Sequence, residues 1–248
     1  MESFAKDTDG FFARHFDRKI SGAISRQLLK TPVTPNQITV FVTGLGLGAG
    51  WLMSQPGYTP KVEGAFLFLL TSILDGCDGE IARAKKMTSK LGGWLDLWGD
   101  NVVHVAVFYG LGIGLFRDTG SEVYLTLGKF AVFGTIVSAS LASYQTYLKA
   151  RVPSPQPSPD MHVGRGRSEA TGEGQSLFTS VIGDASRVHY SSWRLRLTSL
   201  ADALARRDFI YGVVFLAILG HLEWFLWPCA IGANVYACVL VVLFFSTR

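Results

Sequence analysis

Asp75-Gly-Cys-Asp78-Gly79-Glu-Ile-Ala82-Arg83 opens a stretch that continues, after the basic turn Lys85–Lys90, as Gly92-Gly-Trp-Leu-Asp96-Leu-Trp-Gly-Asp100. The sequence on either side is apolar enough for a membrane interior. On a helix Asp75, Asp78 and Ala82 stand at i, i+3 and i+7 and share one face, with Gly79 beside them. Gly92, Asp96 and Asp100 stand at i, i+4 and i+8 and share another. Two antiparallel helices joined by the Lys85–Lys90 turn would bring these faces together, making a cage of four carboxylates with small residues at the seam. Ionisable groups within membrane segments are costly and mark sites rather than scaffold. Acids of one sign repel unless cations lie between them, so the pattern predicts bound divalent metal. The candidate ligands are hard oxygens, with no His or Cys at ligand spacing, which favours magnesium, manganese or calcium over zinc. Cys77 falls off the acidic face. The alternative, a solvated helix-loop-helix with scattered acids, is at odds with the apolar flanks.

Composition agrees with a membrane setting. The chain of 248 residues is 48% hydrophobic and only 17% charged, with a mean hydropathy of +0.27, whereas a soluble domain carries about a quarter charged residues. This points to one polytopic membrane domain. The net charge of +4 would suit nucleic acid, but the basic residues cluster beside apolar spans. Positive-inside topology explains them better, so a lipid bilayer is the expected partner and nucleic acid is not. Cys77, Cys229 and Cys238 show neither disulfide nor metal spacing. The start Met1-Glu-Ser-Phe carries an acid and no apolar core, so no cleavable signal peptide is expected.

Residues 1–33 read as an amphipathic juxtamembrane helix on the membrane surface, Phe11, Phe12, Phe16, Ile20, Ala23, Ile24 and Leu28 recurring at helical spacing. A cap packed on the bundle is compatible with the same pattern. Residues 34–248 form the transmembrane domain. Thr34 suits an N-cap and Pro35 the first helical position of a span to about residue 54. Gly44, Gly46, Gly48 and Gly50 permit close packing there. A second span, about 61–84, ends in the first acidic face, and a third, about 92–116, begins with the second. The fourth covers about 121–148. Residues 152–190, with Pro153, Pro155, Pro157 and Pro159, read as a flexible cytoplasmic loop, and 191–206 as a short surface helix. The fifth span is about 208–223, a turn falls near Glu223–Trp227, and the sixth is about 228–246. His104, four residues after Asp100, is expected to face the bundle and hydrogen-bond a neighbour rather than to catalyse. The fold class is thus an all-α integral membrane protein, a six-transmembrane-helix bundle with an N-terminal amphipathic surface helix. Lys and Arg concentrate at the N-terminus, in the Lys85–Lys90 turn and in residues 149–207, leaving Lys61 and Arg117 opposite. Both termini and the acidic site are therefore expected on the cytoplasmic side of an inner or plasma membrane.

The string D-x2-D-G-x2-A-R-x8-G-x3-D-x3-D from Asp75 to Asp100 resembles the signature of the CDP-alcohol phosphotransferase family, with every defining position filled. It spans about a tenth of the chain, and the helices agree in number and placement. The resemblance implies metal-dependent transfer in phospholipid or head-group biosynthesis: an acceptor hydroxyl attacks the β-phosphate of a CDP-linked alcohol and CMP leaves. Carried over by position, Asp75, Asp78 and Asp96 look like metal ligands, and Asp100 like a further ligand or the general base. Gly79, Ala82, Arg83 and Gly92 match positions lining the CDP pocket. Thr39, one turn after Thr34-Pro35-Asn36, resembles a nucleotide-binding position as well. Two magnesium or manganese ions about 4 Å apart would bridge carboxylates and phosphate oxygens. The resemblance also allows a homodimer.

The acceptor is read from charge. Lys149, Arg151, Arg206 and Arg207 border the same cavity and suit an acceptor carrying phosphate, such as inositol phosphate or glycerol phosphate. Positive-inside anchoring explains them equally well. The Arg206-Arg-Asp-Phe and Asp17-Arg-Lys-Ile segments resemble the inositol-phosphate-using branch of the family. The donor is CDP-diacylglycerol or a soluble CDP-alcohol such as CDP-inositol. A different class, a divalent-cation transporter, is disfavoured by the apolar far halves Ala65–Leu70 and Val105–Leu115. The neighbouring Arg83, Lys85 and Lys86 would also repel a permeating cation.

Overall fold

Thr34 and Ser89 start the two helices that frame the acidic stretch, and both do so through their side chains. The Thr34 hydroxyl accepts from the Gln37 backbone N–H at 3.4 Å while the Gln37 side chain accepts from the Thr34 N–H at 3.0 Å, a reciprocal cap with Pro35 at the first helical position. Ser89 accepts from the Gly92 N–H at 2.9 Å. The computed structural model describes residues 17–151 and 209–246. Within them the chain is helical throughout: α1 (Arg18–Leu28), α2 (Pro35–Ser54), α3 (Tyr58–Ala84), α4 (Lys90–Thr119), α5 (Glu122–Arg151), α6 (Phe209–Ile218) and α7 (Glu223–Ser246). Four stretches, Pro35–Ser54, Lys90–Thr119, Glu122–Tyr144 and Glu223–Phe245, are long and apolar enough to cross a membrane. α3 has 27 residues but carries its carboxylates within any membrane-length window, and α6 is apolar but 10 residues long.

The bundle is assembled around α2. Thr43 lies against Gly99, Gly46 against Val103, Gly50 against Ala106 and Gly110, and Met53 against Gly114, so α2 and α4 run parallel with their backbones in contact. A Cβ on Gly110 would fall on the Gly50 carbonyl oxygen. On its other side α2 receives α3, antiparallel, where Gly64 fits against Ala49 and Met53. α3 and α4 scarcely touch each other directly. The hairpin anticipated between them is opened into a wedge, because small residues draw both onto α2 instead. α5 crosses α4 where Gly128 meets Gly112. It then runs parallel to α7, with the Asn234 amide donating to the Phe130 carbonyl at 2.8 Å. Met53, Phe68, Val107, Leu111, Val213 and Leu226 fill the centre. Phe41, Trp51, Phe133, Phe215 and Trp224 are exposed around the outside.

Three features differ from the sequence expectation. α6 stops at Ile218 and α7 starts at Glu223, so the turn precedes the Glu223–Trp227 segment and Pro228 lies inside α7. Gly220, at φ 74°, ends α6 in the left-handed conformation. The His221 N–H then donates to the Leu216 carbonyl at 2.9 Å and the Gly220 N–H to the Ala217 carbonyl at 3.0 Å. α1 buries Ser21, Gly22 and Ser25 against the bundle while Ala23 is exposed. Its docking face is small and polar because Ser21 donates to the buried Glu80 of α3 at 3.0 Å. Lys61, expected at the loop end of the second span, is buried in the first turn of α3. There its ammonium donates to the carbonyls of Gln55 and Gly57, each at 3.1 Å, and pairs with Asp118. The stretch before residue 17, the 152–190 loop and the 191–206 helix lie outside the described residues.

The α2–α4 contact makes a testable contrast between two glycines. Gly110→Ala is expected to cost about 1–3 kcal/mol by overpacking. Gly44→Ala, with nothing within 4 Å of the added methyl, should leave stability unchanged or raise it by about 0.5–1 kcal/mol. Unfolding of both variants in the same detergent checks this, and equal behaviour would contradict the close approach.

Candidate active site

The wedge between α3 and α4 holds the acidic residues, with α2 at its back. Asp75 is half-buried, Asp78 is buried and Asp96 is exposed, and a carboxylate oxygen of each lies within 4.8 Å of the others. Among the described residues this is the one such group of three. Asp100, one turn further along α4, stands outside it and lines the adjoining cavity together with Asp75. The fourfold cage anticipated from spacing is therefore a group of three plus one deeper carboxylate. Helical spacing puts residues on one face but says nothing about their depth along the helix.

α2 supplies the contacts that hold this arrangement. The Thr39 hydroxyl donates to Asp78 Oδ2 at 2.5 Å, and the Gly79 N–H donates to Asp78 Oδ1 at 2.5 Å. Gly99, between Asp96 and Asp100, lies where an added Cβ would come within 2.6 Å of the Thr43 hydroxyl. A side chain there would push the acidic part of α4 off α2. At the rim, the Lys85 ammonium donates to the carbonyls of Thr31 at 2.7 Å and Val33 at 2.8 Å, fastening the segment before α2 to the end of α3. Asp17 accepts from the Tyr211 hydroxyl, which links α1 to α6.

The cavity runs from the carboxylates into the bundle. Thr43, Ser72 and His104 give it polar walls, and Phe68, Val103 and Ile210 apolar ones. His104 Nδ1 lies 2.7 Å from the Asp100 backbone oxygen and 3.6 Å from its Oδ1. A carbonyl only accepts, so that nitrogen carries a proton. Edge contacts with Phe68 and Phe108, at 5.7 and 5.6 Å between ring centres, hold the imidazole in place.

The residues expected around a nucleotide fall near the same mouth. Gly79 and Ala82 are half-buried and Arg83 is exposed on α3, and a Cβ on Gly79 would meet the Arg83 guanidinium at 3.3 Å. Gly92 faces the side-chain oxygens of Asn36 and Ser89, each 3.1 Å from an added Cβ. Thr39 is buried, lines the cavity and donates to Asp78. Arg151 ends α5, while its side chain and that of Lys149, together with Arg206 and Arg207, lie outside the described residues. The Ser21–Glu80 and Lys85 contacts carried no sequence signal, since each joins segments more than 50 positions apart.

Comparison with known proteins places this geometry. Residues 32–155 match the model of the CDP-alcohol phosphatidyltransferase family. A bifunctional IPC transferase and DIPP synthase of Thermococcus kodakarensis is 36% identical over 140 residues, covering 56% of this chain and 29% of that protein. A phosphatidylinositol phosphate synthase of Mycobacteroides abscessus is 28% identical over 142 residues, covering 57% of this chain and 60% of that one. The chain thus spans under a third of the first of these and about three-fifths of the second. The crystal structure of the Mycobacterium tuberculosis phosphatidylinositol phosphate synthase with CDP-DAG bound shares the fold, with a TM-score of 0.52 at 15% identity over 92% of this chain and 91% of that one. Half of the sequence matches the family model, and the carboxylates of its signature converge at one end of an apolar helical bundle. The chain is an integral membrane protein of the CDP-alcohol phosphatidyltransferase family.

Proposed function

We propose that this chain transfers a substituted phosphate from a CDP-linked alcohol to an acceptor alcohol that itself carries phosphate, of the inositol-phosphate kind, with release of CMP. The convergence of Asp75, Asp78 and Asp96 beside a cavity walled by Asp100 carries this reading. Relatives named as phosphatidylinositol phosphate and archaetidylinositol phosphate synthases support the choice of acceptor.

Asp75, Asp78 and Asp96 would hold the metal, magnesium or manganese at two positions, with Asp100 as a further ligand. Their oxygens suit hard cations, and Asp78 is oriented by the Thr39 hydroxyl and the Gly79 N–H. When bound, such ions neutralise a diphosphate and stabilise a leaving phosphate. Gly79, Ala82, Arg83 and Gly92 would admit the CDP moiety, the glycines letting it approach helix backbone and Arg83 offering charge. Asp100 would take the acceptor hydroxyl proton, since it alone of the four stands beyond the metal group on the cavity wall. Its neighbour His104 is tied to the Asp100 main chain and narrows the cavity around it. Arg151, Arg206 and Arg207 are assigned to the acceptor phosphate from their sequence positions. In the same reading α3 and α6 complete six crossings, with the site at the cytoplasmic face among Arg83, Lys85, Lys86 and Lys90.

Transport of a divalent cation is the weaker reading. Beyond the cavity, Met53, Val107 and Leu111 close the bundle, and the buried Lys61 ammonium stands at the far end. Both oppose passage of a cation.

Asp100→Asn should lower CMP release by about 10²–10⁴-fold, the usual contribution of a general base, while CDP binding persists. Retained turnover would remove the base assignment. Arg206→Ala and Arg207→Ala should each raise the acceptor KM about tenfold, as loss of a charged hydrogen bond does. An unchanged KM would point to membrane anchoring. Assays of the purified chain with inositol phosphate and either CDP-diacylglycerol or CDP-inositol decide the donor. Release of CMP from neither, with the metal bound, would overturn the transferase reading.

A further inference from the structure

Thr39 stands out among the threonines of the bundle by what its hydroxyl does. Thr43, Thr119, Thr126 and Thr135 each donate to the carbonyl four residues back on their own helix, at 2.8, 2.8, 3.1 and 2.9 Å. That is the ordinary use of a helical threonine in an apolar setting. Thr39 has the same carbonyl, that of Pro35, at 3.2 Å, but lies much closer to Asp78 Oδ2 at 2.5 Å on another helix. A hydroxyl has one proton, and the shorter contact to a carboxylate takes it. The residue is only 6% exposed and lines the cavity beside Asp75.

The methyl group of the same side chain points the other way. It lies 3.7 Å from the position a Cβ would occupy on Gly99, the residue of α4 between Asp96 and Asp100. Thr39 therefore sits in the wedge with its hydroxyl on the acidic face of α3 and its methyl on that of α4. Those two helices scarcely contact each other, so their relative register reaches the site through α2. A threonine supplies both contacts at once, whereas serine lacks the methyl and valine the hydroxyl.

We propose that Thr39 is a positioning residue of the metal centre, holding Asp78 in register with Asp96. Residues that orient metal ligands change affinity for the ion when removed, typically by about 10- to 100-fold. The proposal rests on the metal-binding reading given above, and its test separates the two.

The test is titration of the purified full chain in detergent with Mn2+ and no substrate, followed by the electron paramagnetic resonance signal of the free ion. Thr39→Val, of nearly the same shape, is expected to weaken Mn2+ binding about 10- to 100-fold, and Thr39→Ser, which keeps the hydroxyl and loses only the methyl, to weaken it less. Thr39→Ala removes the same hydroxyl without branching, so the outcome does not hang on the folding of one variant. CDP binding without metal should be unchanged in all three. Wild-type affinity for Mn2+ in Thr39→Val and Thr39→Ala would overturn the assignment alone. Weakened CDP binding with intact Mn2+ binding would return Thr39 to the nucleotide. A wild-type chain that binds no Mn2+ would overturn the metal reading and this assignment with it.

Discussion

The backbone of α2 lies on the backbone of α4, and the rest of the bundle depends on that contact. Lipid offers helices no hydrophobic reason to associate, since its tails are as apolar as leucine. Association has to come from close packing, and Gly46, Gly50, Gly110 and Gly114 remove the side chains that would hold the axes apart. Parallel contact of α2 with α4 requires α3 to return between them in sequence without lying between them in space. α3 therefore packs on a different side of α2, and the hairpin opens. The opening holds the acidic group, because the acidic ends of α3 and α4 are left facing a gap backed by α2.

Electrostatics explains why the gap lies at one end. A carboxylate removed from water without a partner costs several kcal/mol, and the bundle treats its two ends differently in this respect. At the far end the buried Lys61 is matched by Asp118 and by the carbonyls of Gln55 and Gly57, while Arg117 donates to the Ser54 carbonyl at 2.7 Å. That end is satisfied by the protein and closed. At the acidic end Asp78 accepts from Thr39 and Gly79, and Glu80 accepts from Ser21 on the opposite face of α3. The oxygens of Asp75, Asp78 and Asp96 nonetheless converge on a common point, a geometry in which like charges favour a cation among them.

Much of this was legible along the sequence where the governing interactions are local. Thr34-Pro35 announces a helix start because caps act over three residues, and the acidic faces follow from the helical repeat. The relation of α3 to α4 was not legible, since spacing within a helix does not say which helix is its neighbour. The turn before α7 was misplaced for a related reason. Pro228 suits a helix start, but Gly220, eight residues earlier, can take the left-handed conformation and ends the preceding helix first. The docking face of α1 escaped notice because Ser21 and Ser25 look like solvent-facing residues until Glu80 and Cys77 are brought against them from 50 or more positions away.

The same distinction separates what Asp78 and Asp100 can do. Asp78 is buried and accepts hydrogen bonds at both oxygens from groups that cannot move far, the hydroxyl of a packed threonine and a helix N–H. Such a carboxylate is held in one orientation. Asp100 stands half-buried at the cavity, and its helix is fixed from behind by Gly99 against Thr43. The aspartates of one motif thus differ in burial and in partners, and α2 packs against both of the helices that carry them.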